Sequence, residues 1–134
     1  MLGLSKKKQN TILIVDDESD IRLLLSTYLK SWGYNVIEAK DGRQGMDLAK
    51  KKSPKLIILD VTLPEMNGFD CCSILKRIPE TKNVPVILLT GLSKTGSVEE
   101  GFSCGADSYL IKPIDWNKLQ ETIDGLIPAD NQAP

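Results

Sequence analysis

The chain has 134 residues, 41% hydrophobic and 26% charged, an ordinary globular composition at a length that buries roughly 70% of the unfolded surface in one core. Seventeen basic against eighteen acidic residues leave a net charge of -1, which is no footprint for nucleic acid or an anionic membrane. There is no histidine, and the three cysteines (Cys71, Cys72 and Cys104) lack metal-ligand spacing, which argues against a zinc centre, a disulfide framework and most nucleophile–base pairs and leaves the cysteines as small core residues.

Residues 1–10 are polar and lysine-bearing, without an apolar signal core. No secretion signal is expected, and the cytoplasm is the default location. The run Thr11-Ile12-Leu13-Ile14-Val15 reads as a first strand, closed by Asp16 and Asp17. Ile21, Leu24, Leu25, Tyr28, Leu29 and Trp32 then share one helical stripe, with Ser19 as expected cap at the start and Gly33 at the end. A second strand begins near Asn35, and a helix follows Asp41-Gly42. Leu56-Ile57-Ile58-Leu59 is apolar throughout, as a strand buried on both faces should be, and Asp60 closes it. Another helix follows Asn67-Gly68.

A fourth strand begins near Pro85, and its run Val86-Ile87-Leu88-Leu89 closes on Thr90. The next helix, over 95–105, contains Gly96, Gly101 and Gly105. Each interior glycine costs about 1 kcal/mol relative to alanine, so this fourth helix is marginal. A fifth strand begins near Asp107, and Ser108-Tyr109-Leu110-Ile111 closes on Lys112, followed by Pro113. The last helix places Trp116, Leu119, Ile123, Leu126 and Ile127 on one face, with Asp115 as cap. Residues 128–134 are polar and proline-bounded and read as a tail or the start of a linker. Strand starts lie roughly 20–30 residues apart, room for strand, turn and helix. The expectation is one α/β domain of five βα units over 11–127. The longest apolar runs, four or five residues, are too short to span a bilayer.

In an open parallel sheet every strand C-terminus points to one edge, where ligands bind. Asp16, Asp17, Asp60, Thr90 and Lys112 would therefore meet. Two like charges 4 Å apart repel by about 4 kcal/mol at an effective dielectric near 20, which a divalent ion offsets. Hard carboxylate oxygens suit Mg²⁺, which commonly takes one or two carboxylates plus substrate phosphate. A carboxylate can attack phosphorus and form an acyl phosphate, with positioning and charge neutralisation supplying most of the catalysis. Lys112 offers a point charge for phosphoryl oxygens, Thr90 a hydroxyl donor, and Gly91 leaves room beside them.

These segments resemble the receiver domain of two-component response regulators. The resemblance rests on Ile12 to Glu18, Asp60 to Gly68 (Asp-Val-Thr-Leu-Pro-Glu-Met-Asn-Gly), Leu89-Thr90-Gly91 and Gly105 to Pro113. It implies a doubly wound, flavodoxin-like (βα)5 fold of strand order 2-1-3-4-5. It also implies that Asp60 is the phosphoacceptor. Asp17 and Asp60 would hold Mg²⁺ by carboxylate, Thr62 by its backbone carbonyl, and Asp16 through a water. Thr90 and Lys112 would read the phosphoryl group, Tyr109 would be a rotating switch aromatic, and the Lys112–Pro113 peptide would be cis. The implied partners are a sensor histidine kinase or histidine phosphotransfer protein and an output protein or domain. The latter would be bound through the glycine-rich fourth helix, the fifth strand and the last helix, with no direct nucleic-acid or membrane contact by this chain. The domain would be no enzyme beyond its own phosphorylation and dephosphorylation. Leu63, Ile114 and the glycine-rich helix depart mildly from the family pattern; they leave the chemistry intact but weaken any transfer of subfamily dimer contacts.

Two other readings share the topology. An aspartate-nucleophile phosphatase resembles its relatives in an acid two residues after the nucleophile, where this chain has Thr62. A flavodoxin-like redox protein needs a hydroxyl- and glycine-rich phosphate loop after the first strand, where this chain has Asp16-Asp17-Glu18.

Overall fold

The computed structural model describes residues 10–91 and 103–127. Five parallel strands form one sheet of order β2-β1-β3-β4-β5: β1 Thr11–Val15, β2 Asn35–Ala39, β3 Leu56–Asp60, β4 Val86–Thr90 and β5 Ser108–Ile111. The described helices are α1 (Ser19–Ser31), α2 (Gly42–Lys52), α3 (Gly68–Leu75) and α4 (Trp116–Leu126). The doubly wound, flavodoxin-like arrangement is thus the observed one. Most of the glycine-rich segment expected as a further helix lies outside the described residues.

The alternating side chains of the central strands explain the two-layer cover. Leu13, Val15, Ile57, Leu59, Val86 and Leu88 pack on one face against Ala49 of α2 and Phe69, Cys71, Cys72 and Leu75 of α3. Ile12, Ile14, Ile58 and Ile87 pack on the other against Leu25 and Leu29 of α1 and Leu119 and Ile123 of α4. Such strands are buried on both faces, which is why they read as unbroken apolar runs. The Tyr28 and Trp116 rings stack at 3.8 Å between centroids and 10° between planes, joining α1 to α4.

Three helices start on a side-chain cap, of which Asp115 is the one expected as a cap. Asp41 accepts from the Gln44 N–H at 2.8 Å while the Gln44 amide oxygen accepts from Lys40 N–H at 2.9 Å, a reciprocal cap. Asn67 accepts from Asp70 N–H and Asp115 from Lys118 N–H. The first helix differs from expectation. Glu18, not Ser19, holds the cap position, and no side chain caps it. Ser19 is already helical because Arg22 N–H bonds the Glu18 carbonyl at 3.1 Å. Gly33 does follow the helix end, at φ 98°, the left-handed conformation that glycine adopts without a Cβ penalty. Leu24 leaves the expected apolar stripe: it is 48% exposed, next to Leu23 at 66%. The core stripe is narrower and centres on Leu25 and Leu29.

The fourth and fifth strands each begin one residue later than expected. Pro85 has no N–H to give the ladder, though its carbonyl accepts from Ile57 N–H at 2.9 Å. Asp107 turns its carboxylate back to accept from Val86 N–H and Lys76 Nζ, both at 2.8 Å. All three cysteines are buried thiols outside any disulfide, as core residues. Among the described residues no helix is long and apolar enough to cross a membrane.

Candidate metal centre at the sheet edge

The ends of β1 and β3 are neighbours in the sheet, and that adjacency builds the site. Asp16 continues the β1 ladder by donating its N–H to the Ala39 carbonyl at 3.1 Å. Its Oδ1 accepts from Glu18 N–H at 2.9 Å, which leaves Oδ2 facing Lys112 Nζ at 3.6 Å. Asp60 ends β3, and its Oδ1 lies 3.2 Å from the same ammonium. Asp16 and Asp60 are 1% and 4% exposed, whereas Asp17 is at the surface. One carboxylate oxygen from each of Asp16, Asp17 and Asp60 falls within 4.8 Å of the others.

The surrounding backbone holds these acids in place. Val61 N–H donates to the Leu89 carbonyl at 2.9 Å, and Gly68 N–H returns to the Val61 carbonyl at 2.8 Å, closing the loop after β3. A Cβ on Gly68 would collide with the Asp60 carbonyl and lie 2.7 Å from Val61 Cα; only glycine fits there. Lys112 is fixed by its N–H, which donates to the Thr90 carbonyl at 2.7 Å, and the Lys112–Pro113 peptide is cis as the resemblance implies. Thr90 is fully buried at the end of β4, and among the described residues nothing crowds the Cβ direction of Gly91. Thr62 is exposed and follows Val61 directly; its N–H donates to Asp60. Tyr109 is half-buried on β5 beside the α2–α3 core. Its buried hydroxyl finds no hydrogen-bond partner among the described residues.

Electrostatics follow from burial. Desolvation, with the Asp16 charge adding to it, pushes the Asp60 carboxyl up to about 6 against the pull of Lys112. Desolvation also raises Asp16, opposed by the Glu18 N–H and by Lys112. Burial pulls the Lys112 ammonium down, but Asp60 and Asp16 together outweigh it and the net shift is upward, so Lys112 stays charged. Among the described residues no hydrogen bond of good geometry reaches two buried oxygens, Asp16 Oδ2 and Asp60 Oδ1; Lys112 faces both as an ion pair. Buried polar atoms are rarely left so. Together with three hard oxygens at one point, they fit a divalent oxygen-seeking cation such as Mg²⁺.

The structure therefore brings Asp16, Asp17, Asp60 and Lys112 together and sets Thr90 against the backbone of Lys112. Two supporting residues escape a reading of the sequence by strand ends. Arg22 on α1 donates Nη1–H to the Asp16 carbonyl at 2.7 Å and pairs through Nε with Glu38 at 3.1 Å. Gly68 is legible as part of a turn, but its contact with Asp60 is tertiary. A basic residue one helical turn and a half past the first acid was the available signal for Arg22.

Known proteins agree with this geometry. The pattern of the response regulator receiver domain matches residues 12–124. The chain is 39% identical over 123 residues to the "DNA-binding dual master transcriptional regulator RpaA" of Synechocystis sp., covering 92% of this chain and 51% of that protein. It spans about half the length of the first curated relatives it matches. Among solved structures it is similar to the signal receiver domain of a signal transduction histidine kinase from Syntrophus aciditrophicus. There the TM-score is 0.83 at 36% identity, covering 88% of this chain and 89% of that one. It is also similar to the receiver domain of a sensor histidine kinase from Pseudomonas aeruginosa PAO1, which has a magnesium ion coordinated in its active site cleft. That match has a TM-score of 0.82 at 28% identity, over 88% of this chain and 97% of that one. Sequence pattern, relatives and fold converge, and the chain belongs to the response regulator receiver domain family of two-component signalling.

Proposed function

We propose that this domain accepts a phosphoryl group on Asp60 in a Mg²⁺-dependent reaction, from the phosphohistidine of a sensor kinase or phosphotransfer protein. The observation that carries the proposal is the pair of buried, under-bonded oxygens on Asp16 and Asp60 beside the Lys112 ammonium. Asp16, Asp17, Asp60 and the backbone carbonyl of Thr62 would hold the ion, Asp16 through a water. When bound, it supplies the positive charge that offsets three carboxylates and admits an anionic phosphoryl group.

The chain's own residues then do the rest. An Asp60 oxygen attacks phosphorus in line with the leaving nitrogen; the P–O bond forms as the P–N bond breaks, leaving an acyl phosphate. Lys112, held charged by its two acids, neutralises phosphoryl oxygens. The Thr90 hydroxyl turns to donate to one of them. A hydrogen bond to a charged group is worth about 1.5–3 kcal/mol, enough to shift a two-state equilibrium roughly 10- to 100-fold. Tyr109 then fills the space behind Thr90, and the output partner reads the face made by β5 and α4. The domain catalyses only its own phosphorylation and dephosphorylation, in the cytoplasm where such donors act. Its net charge of -1 supports assigning any DNA binding of a longer protein to a part other than this domain. The phosphatase alternative lacks its second acid, because Thr62 stands there.

The test is a mass measurement after incubation with acetyl phosphate. One phosphoryl group is expected with Mg²⁺ present, and none after chelation or in Asp17→Ala. Undiminished phosphorylation in Mg²⁺-free buffer would refute the metal's role.

A further inference from the structure

The acidic site uses none of the three thiols, and two of them meet. Cys72 on α3 and Cys104 in the turn before β5 lie far apart in sequence, yet the Cys72 sulfur sits 3.6 Å from the Cys104 carbonyl oxygen. The two thiols are themselves hydrogen-bonded. Cys71, the sequence neighbour of Cys72, aims elsewhere, with its sulfur 3.9 Å from the Gly42 carbonyl. The structure thus holds one dithiol pair and one isolated thiol in the same core layer.

We infer that Cys72 and Cys104 form a reversible oxidation site that closes to an intramolecular disulfide with a small-molecule disulfide as oxidant. Accessibility sets the order of events. Cys72 is 0% exposed and Cys104 8%, so the oxidant meets Cys104 first. The Cys104 sulfur loses its proton and bonds to one sulfur of the oxidant; the other leaves and takes up a proton as a thiol. The Cys72 sulfur then loses its proton, bonds to Cys104, and displaces the second oxidant sulfur as another thiol. Two protein S–H bonds become one S–S bond, and one oxidant disulfide becomes two thiols. Burial keeps the Cys72 thiol protonated, so the pair is slow to react while the fold is closed and closes once Cys104 carries the mixed disulfide. The new bond ties α3 to the turn that feeds β5, the strand of Tyr109 and the approach to Lys112. None of this rests on the phosphoryl-transfer reading.

The test incubates the folded chain with oxidised glutathione, quenches with acid, alkylates in denaturant, and maps peptides without reduction. The expected product is a Cys72–Cys104 linked peptide, about 2 Da lighter than the two reduced peptides, with Cys71 fully alkylated and the link removed by dithiothreitol. Cys104→Ser should yield no link, and Cys71→Ser should yield the same link as the unaltered chain. Three alkylated cysteines, a stable glutathione adduct on Cys104 that never resolves, or a link through Cys71 in comparable yield would each overturn the inference. The unaltered chain decides the matter even where a variant fails to fold.

Discussion

Gly68 presses on the backbone of Asp60: a Cβ at position 68 would overlap the Asp60 carbonyl and come within 2.7 Å of Val61 Cα. Both neighbours are backbone at the end of a fully buried strand, so neither can swing aside as a side chain could. The small residue therefore sets the seat of the candidate phosphoacceptor. Gly68→Ala should destabilise the domain by about 1–3 kcal/mol, the usual range for overpacking, and should slow phosphorylation because Asp60 must shift. Urea unfolding and acetyl phosphate kinetics read the two effects. Unaltered values for both would mean that the loop after β3 yields freely.

Among the described residues, Lys112 is the cation close to both buried acids, at 3.6 Å from Asp16 and 3.2 Å from Asp60. Lys112→Met keeps most of the length of the side chain and removes the charge. Without metal at pH 7.5 the variant should lose about 1–3 kcal/mol of stability, since removing one partner strands buried charge at an edge still open to solvent. The loss should shrink at pH 4.5, where Asp60 is protonated. Denaturant titration at the two pH values checks this; a loss of equal size at both would assign it to packing.

Asp60 gives the domain a pH signature. Its carboxyl is raised from 3.8 to about 6 in the fold. Between those values the folded state keeps a proton that the unfolded chain has released. Stability from this group therefore falls as pH rises through the window, and the penalty is full above about 6. A shift of that size corresponds to about 3 kcal/mol. Asp60→Asn removes the charge, so in chelator it should be about 1–3 kcal/mol more stable than the unaltered chain at pH 7.5 and nearly equal to it at pH 4. Urea midpoints of the two proteins across this range test the sign, and adding Mg²⁺ should stabilise only the chain that retains Asp60 by a comparable amount. A variant no more stable at high pH would contradict the raised carboxyl.

Tyr109 carries a buried hydroxyl with no partner among the described residues. An unmade buried hydrogen bond costs about 1–3 kcal/mol. Tyr109→Phe should therefore fold at least as stably as the unaltered chain, with a gain of up to about 1 kcal/mol, measured by thermal or urea unfolding. A clear loss of stability would show that the hydroxyl is bonded in solution.

The fold was legible because its signals are local and repeated. Strands buried on both faces leave unbroken apolar runs such as Leu56 to Leu59, and Asp41-Gly42, Asn67-Gly68 and the expected cap Asp115 mark where helices begin. The gathering of Asp16, Asp17, Asp60 and Lys112 was legible for the same reason: strand-end residues converge once the sheet is parallel. What failed was set by neighbours elsewhere in the chain. Leu24 fits the helical period of α1, but the face that α1 turns to the core runs through Ile21, Leu25 and Leu29, so Leu24 stays exposed. Ser19 looks like a cap, yet Asp16 takes the Glu18 N–H and the helix starts around it. Asp107 leaves the fifth strand because Lys76 and the Val86 N–H claim its carboxylate. Arg22 and Gly68 act on Asp16 and Asp60 only through folded contacts, which no local pattern encodes. The marginal helix read from Gly96, Gly101 and Gly105 lies mostly outside the described residues.

The central claim is that Asp60, and neither Asp16 nor Asp17, carries the phosphoryl group. Borohydride reduction of the acetyl phosphate-treated, Mg²⁺-loaded chain converts a phosphorylated aspartate to homoserine, and peptide sequencing by mass spectrometry locates it. The account predicts homoserine at position 60 alone and none anywhere in Asp60→Asn. Homoserine at position 16 or 17 of the unaltered chain, or a full phosphoryl gain in Asp60→Asn, would contradict it.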